Sequence, residues 1–207
     1  MDVETRDRIL HAAWEMFGIR GFAATTVNDV ARQAFVTKGA VYHYYDSKEG
    51  LFRAVHAAVM DATSARASAG AGGDGDTLDL IQAGVAEFLD AVLEPITQRI
   101  LAIDGPAVLG DGWESSDVAA EGMDDFRVYL AAAAANNELP AVDAEAMAFV
   151  IRGACFRAAT AIAAAEDQAA AREYFGDAVR VLINGLATSK TVSLADLDVR
   201  DTESRKT

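Results

Sequence analysis

The chain has 207 residues, 52% of them hydrophobic, so it can bury a substantial core, and disorder throughout is excluded. Alanine dominates, proline is confined to Pro95, Pro106 and Pro140, and long alternating Val/Ile/Thr segments are missing, which predicts an all-α fold. The formal charge of −14 speaks against nucleic acid until it is divided: residues 1–56 balance seven Lys/Arg (Arg6, Arg8, Arg20, Arg32, Lys38, Lys48, Arg53) against seven Asp/Glu, and the whole excess, 11 basic against 25 acidic, falls beyond them.

A first helix is predicted from Thr5 to Phe17, where Ile9, Leu10, Ala13, Trp14 and Phe17 form an apolar stripe, ended by Gly18 and Gly21. Thr26 opens a second helix with Asp29 three residues on, a near capping box, and Val27, Val30, Ala31 and Ala34 supply its buried face. Thr37 caps a third, on which Val41 and Tyr45 lie four apart and face the core. Two short helices joined by a tight turn, crossed by a third, are how a small domain reads DNA. Ser47-Lys48-Glu49 starts a fourth helix that buries Leu51, Phe52, Val55 and Val59 and runs to about Arg66. The glycines at 70, 72, 73 and 75 make 67–76 a linker.

Further helices are predicted for Thr77 to Leu93 and for a short segment from Pro95 to Ile103, with Asp104-Gly105-Pro106 breaking the chain. Trp113 to Asn136, Val142 to Ala165 and Gln168 to Ala187 follow, giving about nine helices in all. The last two are rich in Ala and Gly, and the stripe Ala146, Phe149, Val150, Gly153, Ala154 and Arg157 suits a close helix–helix seam. The expected division is a DNA-binding domain over 1–50, a ligand-binding and dimerisation domain over 51–190, and a polar tail over 191–207. Met1 is followed by Asp2 and Glu4 rather than by a basic and then apolar leader, and no apolar run is expected to span a membrane. A cytoplasmic protein is expected, with the lone Cys155 as a small buried hydrophobe in a reducing compartment.

The acidic body repels phosphate at long range, so DNA must be met by the neutral N-terminal end, where local basic groups decide the contact. Lys38, at the start of the third helix, can reach a phosphate or a guanine edge, and the helix dipole adds attraction for phosphate. Gly39 has no side chain to hold the backbone away from DNA. Tyr42 and Tyr44 offer hydroxyl donors to phosphate oxygens, and Thr26, Thr37 and Lys48 do likewise. Asn28 projects from the first turn of its helix toward either an adenine edge or a phosphate. Tyr45 belongs to the core, and His43, either a base contact or a solvent-facing residue, is not counted as a site.

Residues 5–55 resemble the DNA-binding domain of the TetR family of one-component bacterial repressors. The resemblance is carried by Ile9-Leu10, Phe17, Gly21-Phe22, Thr25-Thr26, the run Lys38-Gly39-Ala40-Val41-Tyr42-His43-Tyr44-Tyr45, and Ser47-Lys48-Glu49. The remainder, including Asp104-Gly105-Pro106-Ala107-Val108-Leu109-Gly110, is similar to the ligand-binding half of many members. One position departs from the pattern: Phe35 stands where the family carries Gly in the turn. A bulky residue in a left-handed turn costs on the order of 1–3 kcal/mol; alternatively the ring is exposed beside DNA, where it contacts a thymine methyl.

The resemblance implies a homodimer on double-stranded operator DNA, its interface a four-helix bundle from the last two long helices of each subunit. It further implies a repressor drawn off its operator by a small-molecule effector that favours a form with the wrong half-site spacing. Phe88, Val92, Leu101, Trp113, Phe126, Tyr129, Phe149 and Phe156 either line an apolar effector cavity or fill an ordinary core, and Arg99, Arg152 and Arg157 each need an acidic side chain or an anionic ligand as partner. The alternatives are a ligand-independent DNA-binding factor or activator and, third, a helical enzyme. Against the last, His11, His43 and His56 all lie in the first part of the chain, no His/Cys/Asp group has metal spacing, and the 70–75 glycines lack a following Lys-Ser/Thr. No catalytic residue, metal or cofactor is expected.

Overall fold

Thr25 ties the N-terminal domain together: fully buried, its hydroxyl lies 2.9 Å from the Gly21 carbonyl oxygen and 3.1 Å from that of Met16, which joins the end of one helix to the start of the next. The computed structural model describes residues 3–70, 77–110, 124–136 and 144–188. Helix α1 (Val3–Arg20) buries Ile9, Ala13 and Phe17 and ends at Gly21, whose φ of +82° reverses the chain at little cost to glycine. Helix α2 (Val27–Gln33) starts in the expected capping box: Asp29 N–H donates to Thr26 Oγ1 at 3.2 Å and Thr26 N–H donates back to Asp29 Oδ2 at 3.3 Å. Helix α3 (Lys38–Tyr44) is capped by Thr37, which accepts the Ala40 N–H at 3.1 Å.

The turn between α2 and α3 is a complete Schellman motif. Phe35 N–H donates to Arg32 O at 3.2 Å, Val36 N–H donates to Ala31 O at 2.9 Å, and Phe35 takes the left-handed position with φ 56°. Its ring is 91% exposed, so strain is not offset by burial. Phe35→Gly is therefore expected to raise stability by about 0.5–1 kcal/mol, read as a higher urea midpoint at unchanged slope. A lower midpoint would mean that the ring has a stabilising partner.

Helix α4 (Lys48–Gly70) runs four residues past its expected end. Gly84 of α5 (Thr77–Ala91) explains the extension: a Cβ there would sit 3.6 Å from Ala67 O and 3.9 Å from Ala67 Cβ, so the two helices pack closely and tertiary contact outweighs the weak local propensity. Residues 71–76 of the predicted linker and the polar tail lie outside the described residues.

The predicted break at Asp104-Gly105-Pro106 is corrected. Helix α6 (Pro95–Gln98), a π-helical segment (Arg99–Asp104) and helix α7 (Gly105–Leu109) form one continuous winding. Gly105 N–H donates to Ile100 O, and a Cβ on Gly105 would come within 2.9 Å of that oxygen, so glycine permits the wide turn. Pro106 then falls in the first turn of α7, where a missing N–H is tolerated. Helices α8 (Asp124–Ala135), α9 (Ala144–Ala164) and α10 (Gln168–Thr188) complete an all-α fold. With the α6–α7 winding taken as one, the described residues form nine helical rods.

Two apolar clusters hold these rods. The N-terminal one joins Ile9, Phe17, Val30, Val41, Leu51, Phe52 and Val55 to Ile100 and Leu101 of the π-helical segment. The second joins Ile81 and Leu89 to Leu130, Ile151, Ile162 and Ile183. Between them Val92, Ala102 and Ala159 pack together, and Phe88 touches all three groups. Helix α9 is, by length and composition, apolar enough to cross a membrane, against expectation; its Ala148, Ile151, Cys155 and Ile162 instead belong to the second cluster. Cys155 is buried as expected, and burial pushes its thiol up to about 12, which leaves it inert.

Candidate nucleic-acid interface

Four of the predicted contact residues share an exposed surface on and just before α3: Thr37, Lys38, Gly39 and Tyr42 are all exposed, while Val41 and Tyr45 on the opposite face are buried. The 3.6-residue period places Lys38 and Tyr42 one above the other, and Lys38 Nζ lies 5.7 Å from the Tyr42 ring centroid. Thr37 accepts the cap bond and so keeps its hydroxyl hydrogen for an external acceptor. At Gly39 a Cβ would meet only Thr37 Oγ1, at 3.8 Å. Nothing within 4 Å except Thr37 would crowd a side chain there, so the bare backbone at Gly39 leaves room for another body to approach closely.

The other predicted residues divide. Asn28 is exposed on the first turn of α2, as its spacing implies. Thr26 is exposed too, but its hydroxyl donates to Asp29 Oδ2 at 2.6 Å, a bond that holds the Asp29 carboxyl below its ordinary range, aided by Arg32 2.7 Å away. Its hydroxyl hydrogen is therefore spent within the cap, and a phosphate contact at Thr26 has to displace that bond. Tyr44 is half-buried, with its ring packed against the N-terminal cluster and edge-on to His43 at 5.3 Å, so it presents less of itself than Tyr42. Lys48 Nζ sits 4.1 Å from the centroid of Phe22, whose ring stacks on Phe17 and meets Phe52 edge-on.

The predicted effector residues are less well gathered. Val92 and Phe156 are buried, and Phe88 meets Phe156 edge-on at 5.2 Å. Tyr129 is half-buried against the second cluster, and the Arg152 guanidinium lies 5.7 Å from the Phe149 ring. Leu101 is fully buried in the N-terminal cluster, against which Phe88 also packs. Trp113 and the Phe126 side chain lie outside the described residues. A recess of about 470 Å³ between α1, α4 and the start of α6 is lined by Leu10, Trp14, Val55, Val59, Arg66 and Glu94, and a smaller one of about 100 Å³ separates α5 from α10; neither includes a predicted effector residue. Of the cations thought to need partners, Arg157 is exposed and Arg99 packs over Gly21.

The sequence alone did not single out Asp104. Its Oδ2 accepts the Phe22 N–H at 2.7 Å across 82 residues of sequence. The signal was present in Gly21-Phe22, a turn whose left-handed glycine leaves Phe22 N–H pointing away from α1.

A capped helix–turn–helix with an open, lysine-bearing second helix, set on an all-helical body, defines a DNA-binding transcriptional regulator. The chain belongs to the TetR family: residues 9–55 match the tetR family of bacterial regulatory proteins, and residues 78–186, more than half of the chain, match the tetracyclin repressor-like C-terminal domain. A TetR-family transcriptional regulator from Pectobacterium atrosepticum is 30% identical and superposes with a TM-score of 0.78 over 90% of this chain and 95% of its own. RolR, solved in complex with resorcinol, has a TM-score of 0.70 over 89% of this chain and 93% of its own at 16% identity, a likeness of fold alone. Among curated relatives, the regulator SrpR of Pseudomonas putida is 44% identical over 52 residues, 25% of this chain and 24% of its own length. The repressor KstR2 of Mycolicibacterium smegmatis is 44% identical over 50 residues, 24% of each. The chain thus spans about a quarter of the length of these two.

Proposed function

We propose that the protein is a homodimeric, cytoplasmic repressor that binds operator DNA through α3 and leaves it when a small molecule binds the body. The DNA-facing set is Thr37, Lys38, Gly39 and Tyr42, flanked by Thr26, Asn28, Tyr44 and Lys48, and the functional division falls at the start of α4. The observation that carries the reading is Gly39, an exposed helical glycine that leaves the backbone open to approach, beside a lysine stacked on an exposed tyrosine. Selection of bound duplexes from a random library, followed by anisotropy titration across a salt series, tests it. A two-fold symmetric site bound by two subunits, with affinity falling as salt rises, is expected; binding indifferent to sequence overturns it.

Dimerisation through α9 and α10 is supported by what those helices leave uncovered: Phe149 is 53% exposed, Val150 57%, Tyr174 72% and Val181 68%. Apolar side chains this open along two long adjacent helices suit the self-complementary seam of a two-fold interface. Val150→Glu is expected to shift the sedimenting species from dimer to monomer at micromolar concentration with little loss of helicity. An unchanged dimer would place the interface elsewhere. The effector site is assigned to the body around Phe88 and Phe156, and a thermal-shift screen of small aromatic and acyl compounds on the full chain tests that assignment, a shifted melting temperature together with weaker operator binding being the supporting result.

A further inference from the structure

The two halves of the molecule are joined by consecutive residues of a single winding. Ile100 and Leu101 are buried in the N-terminal cluster, Ala102 packs with Val92 and Ala159 of the body, and Asp104, at the end of the same π-helical segment, accepts the Phe22 N–H at 2.7 Å. π-Helical turns are rare and concentrate where function requires them. This one adds the residue of advance that sets the Asp104 carboxylate over the α1–α2 turn. The turn is shaped to receive it: Gly21 has a φ of +82°, and a Cβ there would lie 3.4 Å from Asp104 Oδ2 and 3.5 Å from Arg99 Nη1. Beyond the bonded N–H, the Phe22 ring is fixed between Phe17 and Phe52 and carries Lys48 Nζ 4.1 Å from its centroid.

We propose that Asp104 is a positioning residue for DNA recognition: its bond to Phe22 N–H fixes the N-terminal domain against the body and thereby sets the separation of the two α3 helices in the dimer. The inference rests on the dimeric DNA-binding reading above. It follows from leverage. The body fixes where the two N-terminal domains hang, so the angle at the α1–α2 turn becomes a distance at α3, and half-sites lie one helical turn of DNA apart, about 34–36 Å, where a single inserted base pair displaces and rotates one of them. A backbone N–H bonded to a carboxylate is short, directional and stronger than a neutral bond, which makes it a stiff clamp. A ligand that rewinds the π-helical segment would move this carboxylate first.

The test uses the full chain and the duplex obtained by selection from a random library, together with versions in which one base pair is added or removed between the half-sites. The parent is expected to prefer the selected spacing by at least tenfold. Asp104→Ala is expected to lower that preference to about two- or threefold, and Asp104→Asn, whose amide oxygen can accept the same N–H, to restore most of it. Asp104→Ala that loses affinity equally for all spacings, or whose loss is matched by a lowered melting temperature and not restored by Asp104→Asn, assigns Asp104 a structural role and overturns the proposal. A parent with no preference for any duplex overturns the dimeric DNA reading itself and the proposal with it.

Discussion

Lys38→Ala is expected to weaken operator binding by about a hundredfold at physiological salt, with two subunits each losing one contact of about 1–3 kcal/mol, reduced by partial compensation from Tyr42. Lys38 is exposed at the first position of α3, its ammonium stacked over Tyr42 and unencumbered by a carboxylate among its described ion pairs and hydrogen bonds. If both lysines meet phosphate, the slope of log affinity against log salt should become shallower by about two, close to one per displaced counterion. If they meet guanine, the slope changes less and discrimination at one symmetric base-pair position collapses instead. The sign of the stability change separates binding from folding. A cation near a helix N-terminus opposes the macrodipole, so removing it should leave the urea midpoint unchanged or slightly raised. A Lys38→Ala protein that binds as tightly as the parent would sink the assignment of α3 as the reading helix.

The N-terminal domain was legible because its signals are local. Thr26 and Thr37 cap helices three residues away, Val41 and Tyr45 share a face by period alone, and the family resemblance marks Phe35 as standing at a turn glycine position, where it does take a left-handed backbone. What the sequence hid depends on contacts between distant segments. The extension of α4 to Gly70 is owed to α5 packing on Ala67, which no property of residues 67–70 announces. Asp104-Gly105-Pro106 reads as a break because glycine and proline usually end helices, yet Gly105 is required by the Ile100 carbonyl and by the His56 ring against it, and Pro106 starts a new helical turn. The same π-helical segment carries Leu101 in the N-terminal core and holds Asp104 against Phe22. A shift of one residue in helical register changes which face a side chain occupies, and periodicity analysis assumes that such a shift does not occur.

Acid should destabilise the protein well above the range in which carboxylates titrate, and His56 is the reason. It is 4% exposed, packed against Gly105 with Cδ2 and Nε2 3.1 Å from where a Cβ on that residue would lie, and tilted against Phe52 at 6.4 Å. Burial, with a smaller contribution from the charge of Arg53, lowers its pKa from 6.5 to about 4. The unfolded chain therefore binds a proton below pH 6.5 that the folded protein refuses until about pH 4. Stability is complete above 6.5, declines as pH falls through that window, and levels off below it, with a total loss of roughly 3 kcal/mol for a shift of this size. Between pH 7 and pH 5 the parent should lose about 2 kcal/mol of unfolding free energy in urea titrations. His56→Leu should lose far less over the same interval, whatever its absolute stability. The Thr26-bonded Asp29 does not confuse the comparison, because its lowered pKa makes its contribution fail only below the ordinary carboxylate range. Equal losses in parent and His56→Leu would show that the junction between α4 and α7 tolerates an imidazolium, and that its protonation is not what acid does to this protein.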